Sequence, residues 1–140
     1  MGYTHHWYRK PTLDKKKFAK AVADCQKVCA ASKVPLENSK FSAGVVAFDA
    51  YETFIVEQVS SGRIVREGLR KGKVFEFCKT AHCNADICVT ACLIVFKHHF
   101  GDDFIVLSDG DDDAFNGARP LCQETLDYGS EFKVDPQEVL

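Results

Sequence analysis

The chain has 140 residues, 46% hydrophobic and 27% charged, which is an ordinary balance for one globular domain with a real core. A formal net charge of −2 excludes a strong bulk attraction to nucleic acid or to an anionic membrane. No apolar run reaches the roughly 18 residues that a membrane span needs.

No apolar leader opens the sequence, and Met1-Gly2 begins like a myristoylation signal with His6 standing where that motif needs Ser or Thr. These features predict a cytosolic protein. There are seven cysteines, an odd number. Without signs of secretion they read as buried thiols acting as small hydrophobes rather than as a disulfide framework.

In chain order, residues 2–9 alternate with period two and are rich in aromatics, which predicts a strand ended by Pro11. A helix is predicted from about Asp14 to Ser32, capped by Thr12 or Asp14. Phe18, Val22, Cys25 and Cys29 form its apolar stripe. Residues 44–48 and 53–56 read as a hairpin turning at 49–52. The basic segment 63–72 is predicted to be an exposed loop or ribbon, and 74–77 a strand. A helix apolar on nearly every side is predicted from Asn84 or Ala85 to His99, with Asn84 as its cap and Gly101 as its stop. A strand over 104–107 follows, then a short helix over 114–126 interrupted early by Gly117 and Pro120, then a loose tail from about 129.

This order predicts one α+β domain over residues 1–140. Its expected architecture is a two-layer sandwich, an antiparallel sheet of four to five strands with two main helices, in a ferredoxin-like variant with a short C-terminal helix. That superfold hosts many functions and assigns none.

Several groups can carry chemistry. Tyr3, His5 and Trp7 share one face of the opening strand, where rings can stack a base, or simply pack on the sheet. Lys79 and Thr80 precede the buried helix, whose N-terminal amides attract anions. His98 and His99 close that helix; adjacent residues cannot share a helix face, so they are poor joint metal ligands. Ser108 and Asp109 begin an acidic loop that lacks the EF-hand spacing. Arg63 and Arg66 belong to a basic stretch able to clamp phosphate. Cys78, Cys83, Cys88 and Cys92 lack the paired short spacing of zinc sites. Neither a metal nor a cofactor is expected.

The opening MGYTHHWYRK, the FCKTA segment, the KHHFGDD segment and VLSDG together resemble a family of small uncharacterised proteins from bacteriophages and bacteria. Where that family runs Thr-Ala-Arg-Lys-Pro-Tyr-Asp, this chain has Thr80-Ala81-His82-Cys83-Asn84-Ala85-Asp86, with two basic residues fewer beside the anion site. By analogy with other small phage proteins, the resemblance implies an anti-defence sponge that sequesters a nucleotide signal. The expected function is therefore non-enzymatic binding of a nucleotide-derived small molecule, with no membrane and no long nucleic acid as partner and with a homo-oligomer left open. Two alternatives stand beside it. One is a nucleotide hydrolase or transferase using His5, His98 or His99 with Asp109. The other is a protein–protein inhibitor.

Overall fold

The computed structural model describes residues 3–136. Met1, Gly2 and residues 137–140 lie outside the described residues, the myristoylation-like start among them. The alternating N-terminal stretch forms β1 (Thr4–Arg9), with His5, Trp7 and Arg9 buried on its inner face. Helix α1 (Lys15–Ser32) starts where Asp14 Oδ2 accepts the Lys17 amide at 2.9 Å. It buries Phe18, Val22, Cys25 and Cys29, the stripe read from the spacing. The hairpin forms as β3 (Val45–Asp49) and β4 (Thr53–Glu57), and a short β2 (Lys40–Ser42) precedes it that the sequence did not reveal. Then come β5 (Val74–Lys79), α2 (Asp86–Phe100), β6 (Phe104–Ser108) and α3 (Ala118–Leu126).

The expected single sheet of four to five strands is corrected. The described residues form two three-stranded antiparallel sheets, β5-β1-β6 and β2-β3-β4. The reason lies in a buried arginine at the seam. The Arg9 guanidinium donates to the carbonyls of Glu57, Gln58 and Pro11, and its Nη1 lies 3.7 Å from Glu76 Oε1. The carbonyls at the end of β4 thus accept this side chain, with the Leu13 amide also donating to Gln58, instead of a ladder continuing into β1. In the first sheet, β5 and β6 both pair antiparallel with β1 and so run parallel to each other, linked by α2. This split β-α-β unit is the part of the ferredoxin-like expectation that the fold contains.

Helix α2 is buried without interruption from Cys88 to Phe96, because α1, α3 and the sheet all pack against it. Its expected Asn84 cap is corrected: Ala85 holds the cap position and no side chain caps the helix, while Gly101 ends it as predicted. A chain of rings, Phe18, Phe96, Phe104, Trp7, Phe54 and Phe48, joins both sheets and α1 with successive centroids 5.1–6.1 Å apart. The expected loose tail is also corrected as far as residue 136. Phe132 packs on Phe115 at 4.7 Å, the Asp135 amide donates to the Val106 carbonyl, and Lys97 pairs with Asp135 at 3.0 Å. No helix among the described residues is long and apolar enough to cross a membrane.

The cysteines are free, and all but the half-buried Cys83 are buried. Burial pushes the Cys78 thiol up to about 12, which makes it a poor nucleophile.

Candidate functional site

Two arrangements of functional groups emerge, one at an end of the β5-β1-β6 sheet and one on its outer face. The first gathers His5, Ser108, Thr80 and Asp86. The antiparallel register sets His5 opposite Ser108, and the crossover of α2 brings Asp86 over the same end. His5 Nδ1 lies 2.8 Å from Ser108 Oγ, and His5 Nε2 lies 2.7 Å from Asp86 Oδ1, which also accepts the Thr80 hydroxyl at 2.6 Å. With a neutral imidazole, Nε2–H donates to the carboxylate and Nδ1 accepts the serine proton. Burial acts to raise the Asp86 carboxyl, but the hydrogen bonds from His5 and Thr80 and the nearby His5 and His82 outweigh it and hold Asp86 below its ordinary value.

This end is closed by Tyr3, whose ring stacks on His82 at 3.7 Å and whose carbonyl accepts both the Thr80 and Ala81 amides. Ala81 and His82 both take left-handed backbone, with φ of 47° and 59°, to make that turn. Gly110 is required here, since a Cβ on it would sit 2.2 Å from the Tyr3 hydroxyl. Burial and the Asp86 charge raise the Tyr3 phenol against the pull of its hydrogen bond to Ser108. His5 and Ser108 are both buried, so the Ser-His-Asp chain works as a tie between β1, β6 and α2.

The tie makes a pH-dependent prediction. A carboxyl depressed in the folded state adds stability above its unfolded value, and that stability is lost as pH falls through the folded value. Asp86→Asn is expected to lose about 1–3 kcal/mol at neutral pH. The gap to the wild type should close towards the bottom of the carboxylate range. Urea unfolding at neutral and acid pH checks this; a gap that stays constant would remove Asp86 from the titration.

The second arrangement is the outer face of the same sheet. Register places His6 opposite Phe77 and Tyr8 opposite Phe75. The Phe75 centroid lies 5.7 Å from His6, 5.1 Å from Tyr8 and 5.9 Å from Phe77. Phe75 is 40% and Phe77 57% exposed, an open aromatic surface that a sheet normally covers. Ile105 and Leu107 on β6 are buried, so the open part is the β1–β5 half. The Arg70 guanidinium lies 5.8 Å from the Tyr8 ring centroid at one end, and Lys79 continues the face at the other, its Nζ 5.4 Å from the Tyr51 ring. Burial lowers His6, opposed by Asp109 and aided by His5, which favours the uncharged ring.

The expected site residues are therefore dispersed. Tyr3, His5 and Trp7 do share a face, but it is the inner one. Trp7 is 1% exposed, between Phe54 and Phe104, with Nε1 donating to Glu76 at 2.9 Å, so it offers no face to a base. Lys79 and Thr80 point to opposite faces and do not converge on one anion; the Thr80 hydroxyl is spent on Asp86. His98 and His99 lie at the far end of α2 from His5 and Asp109, so neither joins Asp109 in one site, while His5 lies at the same end as Asp109. There, Asp24 Oδ2 lies 2.8 Å from His99 Nε2 and accepts the Tyr128 hydroxyl at 2.8 Å, and His98 stacks on Tyr128 at 3.6 Å. His98 and Tyr128 help to line a cleft of about 530 Å³. Asp109 is exposed and accepts the Thr4 amide at 3.1 Å. Arg63 and Arg66 line a shallow hollow with Gly62 and Ile64. Among the described residues no group of three or more His, Cys, Asp or Glu side chains is placed to hold a metal ion.

Sequence reasoning missed Asp86 as a partner of His5, and it missed His6, Tyr8, Phe75 and Phe77 as a surface. The period of two was visible in both strands; which face would be covered was not.

These features define an α+β protein whose split β-α-β unit is tied at one end by buried polar groups and bears an open aromatic face. No family model matches the chain, no curated protein is similar to it, and no solved structure matches its fold.

Proposed function

We propose that the protein binds a nucleotide-type ligand on the outer face of the β5-β1-β6 sheet and holds it without turnover. The supporting observation is the open block of His6, Tyr8, Phe75 and Phe77 with Arg70 and Lys79 at its two ends. Rings stack any base because every base has a π-face, and cations hold phosphate. Sequestration of a nucleotide signal, the role implied by the resemblance to small phage proteins, uses this chemistry and no other. The stacking role expected of Trp7 passes in this reading to residues on the opposite side of the same strand.

The test is mass spectrometry of whatever is released by heat after incubation with a nucleotide mixture, repeated on Phe75→Ala/Phe77→Ala. Both side chains are substantially exposed, so the double variant stays folded. It is expected to lose about 1–3 kcal/mol of binding per base no longer stacked. Equal capture by both proteins would move the site off this face.

A second reading, a small hydrolase, draws on the Ser108–His5–Asp86 chain. It requires Tyr3 to leave Ser108, and it predicts that a captured nucleotide is recovered altered, and unaltered from Ser108→Ala.

A further inference from the structure

The arrangement of rings and charges on the outer face carries more than the class of ligand. Phe75 and Phe77 lie on one strand with centroids 5.9 Å apart, each opposite a second ring on β1, Tyr8 and His6. The block therefore offers two stacking stations along the strand direction. Their separation is well above the roughly 3.4 Å rise per nucleotide of a stacked duplex strand. Bases seated on both must be unstacked from each other, as they are in an extended single strand and are not in a helix.

The charges fit the same line. Arg70, beside Tyr8, and Lys79, two residues past Phe77 on the same face, bracket the stations, so cations lie before the first ring and after the second. A hollow of about 500 Å³ adjoins the first end, lined by Arg70, Lys73 and Ile105 together with Asp102 and Asp135. Asp102, Asp103 and Asp109 lie at the two ends of β6, and Glu52 Oε1 accepts the Lys79 amide at 3.2 Å, so the attraction for a polyanion along β5 is carried by the Arg70, Lys73 and Lys79 cations against these carboxylates. A mononucleotide, with one base and its phosphate at one side, fills half of this row. A strand whose phosphates flank and separate its bases fills all of it.

We infer that the face binds a short single-stranded segment of nucleic acid, two or three nucleotides long, laid along β5 with one base on Phe75, beside Tyr8 and His6, and the next on Phe77. This rests on the nucleotide-binding reading above and narrows it.

The experiment uses the full chain and measures binding of thymidine monophosphate, a thymidine trinucleotide, a hexanucleotide and a short DNA duplex. The trinucleotide is expected to bind at least tenfold more tightly than the mononucleotide, with little further gain for the hexanucleotide and none for the duplex. Phe77→Ala should weaken trinucleotide binding about tenfold. Lys79→Gln should reduce the salt slope of trinucleotide binding by about 0.7, one phosphate contact on a single strand. Equal affinity for mononucleotide and trinucleotide would overturn the inference and leave the nucleotide reading standing. Binding of none of the probes would overturn both. A dimer in sedimentation velocity that Phe77→Ala dissociates, without oligonucleotide binding, would overturn both and make the face an interface between copies of this chain.

Discussion

Replacing Arg9 by alanine is expected to destabilise the protein by about 3–5 kcal/mol, the range for removing one partner of a buried charged network. Arg9 is 0% exposed, and its guanidinium serves the carbonyls of Lys10, Glu57, Pro11 and Gln58 besides facing Glu76. Alanine would remove the buried side-chain donors from these carbonyls, leaving Gln58 and Pro11 only the Leu13 and Ser60 amides, and would leave Glu76 with only the Trp7 indole and the Ser60 hydroxyl. Arg9→Lys should recover less than half of the loss, because one ammonium cannot reach carbonyls spread over several residues as a planar fork does. With typical stabilities of about 5–15 kcal/mol, the loss is a large share of the whole and lowers Tm by about 10–20 °C. Chemical denaturation of the three proteins measures it. Wild-type stability in Arg9→Ala would mean that the two sheets are held together without this residue.

Trp7→Ala is expected to cost about 3–5 kcal/mol as well, through a cavity rather than through unpaired polar groups. Trp7 sits in the ring chain between Phe104, stacked at 6.1 Å, and Phe54, tilted at 5.6 Å, so its removal opens the core where the two sheets meet. Trp7→Phe keeps most of the apolar contact and loses the indole bond to Glu76, so it should lose about 1–3 kcal/mol. On a folded Trp7→Phe protein, nucleotide binding should be unchanged, since the outer face keeps its four rings. A fall in affinity without a fall in stability would return Trp7 to the binding surface.

Much of the fold was legible in the sequence because local periodicity is imposed by the backbone. Asp14, the stripe from Phe18 to Cys29, the all-apolar run after Asp86 and Gly101 marked both long helices to within a residue or two. The hairpin was equally clear. What stayed hidden depends on partners distant in sequence. Nothing near Asp86 shows that it meets His5, 81 residues away, and Asn84 was the better local candidate for a cap. Nor does the 129–136 segment look anchored, because its order comes from Phe115, Lys97 and β6 rather than from a pattern of its own.

The site divides along the same line. Side chains alternate along any strand, so the order of residues in β1 already sets two faces, one with His5 and Trp7 and one with His6 and Tyr8. The sequence also makes rings and basic residues plentiful around β5. Which of those faces stays open follows from what packs against the sheet. Helix α2 packs on the side of His5 and Trp7, where Asp86 and Glu76 satisfy their polar atoms, and this leaves Phe75 and Phe77 exposed and His6 and Tyr8 half-buried on the other side. Burial is a property of what packs against a strand, and no residue within the strand can specify it alone.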